Sequence, residues 1–167
     1  MIVKKILLLG EIGVGKTSIV RRLVFDQFNP DYKATIGTDV YQYEVRPSPV
    51  AAPFHFVIWD TDGAFGESIF KSVHVRQADA AFIVGDLTRR GTVESALQLA
   101  IGFSDALPGR YLRIALNKAD VFSDDFRHPL PDGLVNGDFE SILTSAKTGT
   151  NVKEAFHQAA TTIIRRS

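Results

Sequence analysis

Gly10-Glu11-Ile12-Gly13-Val14-Gly15-Lys16-Thr17 reads G-x-x-x-x-G-K-[ST], the pattern of a phosphate-binding loop. The apolar run Ile6-Leu7-Leu8-Leu9 ends where the pattern starts, and a helix-compatible stretch, residues 18–25, begins where it stops. Buried strand, glycine loop, then helix is the order that phosphate binding needs. Glycines let the backbone turn successive N–H groups onto phosphate oxygens. The following helix adds partial positive charge at its N-terminus. In this pattern Lys16 reaches the β- and γ-phosphates and the Thr17 hydroxyl ligates Mg²⁺.

Working outward, residues 2–9 read as a central strand buried on both faces, because the apolar run barely alternates after Lys5. The helix after the loop buries Ile19, Val20 and Leu23. Residues 26–37 are polar and turn-rich, with Asn29-Pro30-Asp31 at their centre; loops of this length are often functional. Residues 38–46 alternate as a strand, 47–53 turn, and 54–59 form a second strand, so an antiparallel hairpin joins an otherwise parallel sheet. A short helix is expected over 67–75 and strands over 80–84, 111–116 and 139–143. Val93, Ala96, Leu97, Ala100 and Ile101 mark one helix face, and Val152, Ala155, Phe156, Ala159, Ile163 and Ile164 mark another. The alternation predicts an α/β fold with helices on both faces of a mixed sheet, and ligands bound at the carboxyl ends of the strands.

With 167 residues, one domain spanning residues 1–167 is expected. Lys plus Arg and Asp plus Glu both number 19, so no net charge favours nucleic acid or an anionic membrane. The absence of cysteine excludes disulfides, thiolate zinc sites and thiol nucleophiles, and removes every site for prenylation or palmitoylation within this chain. No apolar run approaches the ~18 residues of a spanning helix, and no signal-peptide pattern is present. A cytoplasmic monomer without a lipid anchor in this chain is the expectation. The four histidines, His55, His74, His128 and His157, show no ligand spacing.

Two further strand ends carry chemistry. The strand over 54–59 leads into Asp60-Thr61-Asp62-Gly63. A carboxylate there, beside a phosphate-loop strand, is placed to hold Mg²⁺ through water. Asp62 competes for the role; Asp60 is preferred because it sits directly at the strand end. The strand over 111–116 leads into Asn117-Lys118-Ala119-Asp120. Guanine offers N1–H and a 2-amino group on one edge, and the Asp120 carboxylate can accept from both. Adenine would leave that acceptor unpaired. The Lys118 stem can cover the base, and the Ala146 N–H can donate to the guanine carbonyl.

With Thr35-Ile36-Gly37-Thr38-Asp39 and Ser145-Ala146-Lys147, these motifs make the chain resemble the Ras-like small GTPases, and within them the Rab type, over essentially its whole length. The resemblance implies a three-layer P-loop NTPase fold, the Ras-like G domain, with a six-stranded mixed sheet and one antiparallel edge strand. It implies a GTP/GDP switch that uses Mg²⁺ and meets protein regulators and effectors through segments near Thr35 and Gly63. Nucleotide contacts carry over to Ile12, Gly13, Val14, Gly15, Lys16, Thr17, Ser18, Phe28, Asn117, Lys118, Asp120, Ser145, Ala146 and Lys147. Catalytic roles carry over to Lys16, Thr35 and Gly63, and metal ligation to Thr17, Thr35 and, via water, Asp60. Phe28 would pack against the guanine, and the Gly63 N–H would sense the γ-phosphate.

The chain also departs from the family pattern. D-T-A-G-Q-E becomes Asp60-Thr61-Asp62-Gly63-Ala64-Phe65, so the glutamine that orients the attacking water is an alanine. Ile12 is bulkier than the small residue usual there and would crowd the γ-phosphate and an incoming arginine finger. Both changes predict very slow GTP hydrolysis. Glu67, Asp62 or a partner would have to replace the missing group. Two prolines and two glycines within 121–137 predict an irregular loop with at most one short helical turn in place of the usual helix. Of an aromatic trio across the switches only Trp59 remains, with Val40 and Val75 at the other positions. Trp59 is either an exposed partner anchor or packed on the sheet. The chain runs to Ile164-Arg165-Arg166-Ser167 with no cysteine. A minimal unlipidated form suits a prokaryotic relative. Two alternatives stand beside a slow switch: a nucleotide-bound scaffold acting only through partners, and a P-loop kinase for a small molecule, against which Asn117 and Asp120 argue.

Overall fold

β1 (Ile2–Leu9) pairs in parallel with β3 (Phe54–Thr61) on one side and β4 (Ala80–Asp86) on the other, so the strand that delivers the glycine loop is central. The computed structural model describes residues 2–29, 38–61, 63, 73–121 and 130–167. β2 (Thr38–Val45) runs antiparallel to β3 at one edge; β5 (Tyr111–Asn117) and β6 (Ser141–Leu143) extend the sheet in parallel at the other. The strand order is β2-β3-β1-β4-β5-β6, the six-stranded mixed sheet that the sequence predicts.

Two apolar layers cover the sheet. On one face Ile6, Leu8, Phe56, Ile58 and Phe82 meet α1 (Lys16–Phe25) and α5 (Val152–Arg166). On the other Leu7, Leu9, Ala81, Ile83 and Ile114 meet α3 (Arg90–Ala106), with Val75 from the short α2 (Val73–Arg76) and Leu134 from the short α4 (Asp132–Val135). Neighbours in sequence on β1 therefore serve opposite layers, which is why its apolar run is continuous.

The departures from expectation are local. β3 runs on through Asp60 and Thr61, which pair with Asp39 and Thr38 of β2, so Asp60 lies inside the strand and not at its end. The predicted hairpin partner extends the strand two residues past the end of its apolar pattern. β2 stops at Val45, and β6 begins at Ser141. α1 starts at Lys16, inside the glycine motif. Ile101 and Ile164 belong to the exposed large hydrophobics, while Phe103 and Ala160 are buried in their stead. Val75 is buried at 2 % exposure, and Trp59 is half-buried with the Lys5 Nζ 3.7 Å from its ring centroid. Trp59 thus lies between the two roles weighed for it, partly packed on the sheet with Lys5 over its ring. Within 121–137 the described residues hold a 3-10 turn (Ala119–Val121) at the start and the four-residue α4; residues 122–129 lie outside the description. The expected helix over 67–75 is described only as α2, its remainder lying outside.

Candidate functional site

The glycine loop closes on itself around Lys16. Gly10, Gly13 and Gly15 have φ of 145°, 78° and 105°, values that side-chain-bearing residues rarely adopt. A Cβ on Gly10 would lie 2.5 Å from the Val84 carbonyl oxygen. Lys16, only 6 % exposed, donates through Nζ to the Gly10 and Glu11 carbonyls, each at 2.8 Å. Ser18 follows in the first turn of α1.

Next to Lys16, the Thr17 hydroxyl donates to Oδ2 of Asp60 at 2.5 Å. Asp60 is fully buried, and its Oδ1 accepts no hydrogen bond among the described residues. Burial pushes its carboxyl above the ordinary carboxylate range, against the opposing effects of the Thr17 hydrogen bond and the Lys16 charge. A buried carboxylate oxygen without a donor calls for a cation. The hard oxygens of Thr17 and Asp60 suit Mg²⁺, which keeps several of its waters. These residues fit that ion.

Asn117 joins the strand ends. Its Nδ2 donates to the Val14 carbonyl at 3.0 Å, and its Oδ1 accepts from the Thr144 hydroxyl at 3.2 Å and the Ala146 N–H at 3.3 Å. The Ala146 N–H expected to serve guanine is thus turned to Asn117. Ser145 donates to Oδ1 of the exposed Asp120 at 2.7 Å, leaving the other oxygen for a ligand edge. From α1, Arg22 donates to the Ala146 carbonyl at 2.8 Å and the Lys147 carbonyl at 2.5 Å. Phe28 is exposed beyond the end of α1.

Lys118 adopts φ 65° and reaches back to the glycine loop, donating to the Gly13 carbonyl at 3.2 Å and to Asp86 Oδ2 at 2.8 Å. Asp86 ends β4 and is fully buried. Burial opposes its ionisation, but hydrogen bonds from Lys118, Thr88 and Arg89 outweigh that and hold its carboxyl below the ordinary range. Arg89 donates to the same carboxylate at 3.1 Å and to the Ile12 carbonyl at 3.0 Å. Glu11 is bound from α3 by the Ser95 hydroxyl at 2.5 Å. Gly63 lies against the same lip, where a Cβ would come 2.2 Å from the Ile12 nitrogen.

Thus residues of the glycine loop, Asp60, Gly63, Asn117, Lys118, Asp120 and the 145–147 turn converge at the carboxyl ends of β1, β3, β5 and β6. Thr35, Asp62, Ala64 and Glu67 lie outside the described residues. Asp86, Arg89, Arg22 and Ser95 escape a motif reading. Asp86 alone carried a signal, a carboxylate directly after an apolar strand.

The Ras family pattern matches residues 5–165. The chain belongs to the Ras family. Among its relatives it is 32 % identical to Ras-related protein RABF2a of Arabidopsis thaliana, over 93 % of this chain and 78 % of that protein. It is likewise 32 % identical to the Ypt/Rab-type GTPase YPT7 of Saccharomyces cerevisiae, over 98 % of this chain and 82 % of the relative. Rab-34 of Rattus norvegicus is 30 % identical over 95 % of this chain and 62 % of its own length. The chain is therefore a Ras-like small GTPase of the Rab type, a family that uses GTP, GDP and Mg²⁺ and meets regulators and effectors. Among the described residues no helix is long and apolar enough to cross a membrane.

Proposed function

We propose that this small GTPase is a guanine-nucleotide switch, one G domain over residues 1–167, that binds GTP and GDP with Mg²⁺ and hydrolyses GTP very slowly. The observation that carries the binding half is the buried Asp60 Oδ1, without a donor among the described residues, beside Thr17 and Lys16. Bound there, Mg²⁺ would neutralise charge on the β- and γ-phosphates. The glycine-loop amides from Ile12 to Ser18 and the Lys16 ammonium cradle those phosphates. Asp120 reads the guanine edge, the Asn117, Lys118 and 145–147 backbone and side chains frame the base, and Phe28 borders it. Thr35 and Gly63 close on the γ-phosphate and present the switch state to regulators and effectors. The protein acts as a cytoplasmic monomer.

In the reaction the oxygen of water forms a bond to the γ-phosphorus. The bond from that phosphorus to the β–γ bridging oxygen breaks, its electron pair staying on GDP, and the water protons pass to phosphate and solvent. Ala64 offers nothing to hold that water, which supports slow turnover. Single-turnover hydrolysis of bound GTP tests this: a rate constant below about 10⁻⁴ s⁻¹ is expected. The ordinary intrinsic rate of a few times that value would overturn it. No hydrolysis over days with normal exchange would favour instead a scaffold that signals through bound nucleotide alone.

A further inference from the structure

We propose that Arg89 is an internally supplied arginine for the γ-phosphate, so that this GTPase carries the charge-stabilising half of its hydrolytic apparatus and lacks only the water-positioning half. The inference rests on the switch reading above and adds a residue that no motif assigns. Arg89 stands directly before α3, and its guanidinium spans two fixed points: Nε donates to Asp86 Oδ2 at 3.1 Å and Nη2 to the Ile12 carbonyl at 3.0 Å. Asp86 cannot yield, being fully buried and held in addition by Lys118 at 2.8 Å and by the Thr88 hydroxyl at 2.6 Å. An arginine so tethered forfeits less rotamer entropy on meeting a ligand than a free surface arginine would.

Its destination is specific. Ile12 is the lip of the phosphate loop, 53 % exposed, and the Gly63 backbone lies directly against its nitrogen. Arg89 thus ends on the carbonyl of the same residue whose nitrogen Gly63 approaches. Its side chain is 47 % exposed there, and two of the five guanidinium N–H groups are used among the described residues. The remaining donors carry a permanent positive charge at the rim. As the bond from the γ-phosphorus to the bridging oxygen breaks, negative charge spreads over the γ-oxygens and the departing GDP oxygen. A cation fixed there beforehand lowers the barrier without reorganising. Arg89 has donors but no acceptor for a proton of the attacking water, so slow hydrolysis and a resident arginine are compatible. An activating partner would therefore need to bring a carboxamide or another water-holding group, and an arginine finger would be redundant.

Fluorescent GDP with Mg²⁺ and aluminium fluoride, a planar mimic of the transferring phosphoryl group, tests this without turnover. The probe is titrated into the Ala64→Gln chain and into Ala64→Gln with Arg89→Ala or Arg89→Lys, with no partner added. The expected result is a fluoride complex in Ala64→Gln that weakens at least ~10-fold with Arg89→Ala and is partly restored by Arg89→Lys, while GDP affinity alone moves less than ~2-fold. Equal fluoride affinity with and without Arg89 would overturn the proposal. So would a loss of GDP affinity as large as the loss of fluoride affinity, which would make Arg89 a brace for the loop, and so would absence of the complex from the Ala64→Gln chain, which keeps Arg89. Chains that bind no GDP would overturn the switch reading and this inference with it.

Discussion

A Cβ on Gly15 would sit 2.2 Å from Nδ2 of Asn117, the atom that donates to the Val14 carbonyl. The glycine is therefore required twice, by its φ of 105° and by the side chain of a strand 102 positions further on. Gly15→Ala should displace Asn117 and strain the loop together. A loss of about 2–4 kcal/mol of stability in urea unfolding is expected, with nucleotide binding abolished. Unchanged stability would show that Asn117 can move aside.

Asp60 makes stability depend on pH in a direction opposite to the usual carboxylate. Its folded pKa is raised by burial, so the native state holds the proton longer than the unfolded chain. Stability without metal should fall as pH rises from about 4, the unfolded value, through the folded value. In EDTA the melting temperature should decline with pH over that window. In excess Mg²⁺ and GDP the decline should vanish, because the ion takes the ionised form. Asp60→Ala should remove both the slope and the increment due to Mg²⁺.

Asp86 behaves conversely. Its pKa is depressed in the folded state, so its contribution is present above the unfolded value of about 4 and is lost as pH falls through the folded value. Asp86→Asn should cost about 1–3 kcal/mol at pH 7 and progressively less as pH falls below the unfolded value of about 4. The cost stays below that of breaking a wholly buried pair because Lys118 and Arg89 are part-exposed and can rehydrate.

Asp120 should decide the base. Asp120→Asn replaces an acceptor of two hydrogen bonds by a group that must also donate. Guanine affinity should fall about 10²–10³-fold, and xanthine, whose 2-position is a carbonyl, should gain relative to it. Competition against fluorescent GDP measures both. A parallel loss for guanine and xanthine would mean that Asp120 acts only through its bond to Ser145.

The mixed sheet and both helical layers were legible because their cause is local. The unbroken Ile6-Leu7-Leu8-Leu9 run demands cover on both faces, and the apolar spacing of α5 demands one face of contact. The glycine loop, Asn117 and Asp120 were legible because their spacing is short and their chemistry narrow. Asp60 was placed just beyond β3 because the apolar pattern stops at Trp59, although the hairpin with β2 carries the pairing on through Asp60 and Thr61. Arg89 and Ser95 were invisible for another reason. Each acts on a residue 77 or 84 positions away, and a surface arginine and serine near a helix start look ordinary in the sequence. Val75, at a position where relatives carry an aromatic, serves the core under α3.

α1 has a role as a ruler. Lys16 opens it on the phosphate loop, and six residues later Arg22 grips the carbonyls of Ala146 and Lys147 at the proposed base site. Six helical steps span about 9 Å. The separation between the proposed polyphosphate and base ends of the site is therefore set by the pitch of one helix. Inserting one residue into α1 would rotate Arg22 by about 100° and detach one end from the other, whereas lengthening the loops around it would leave that measure intact.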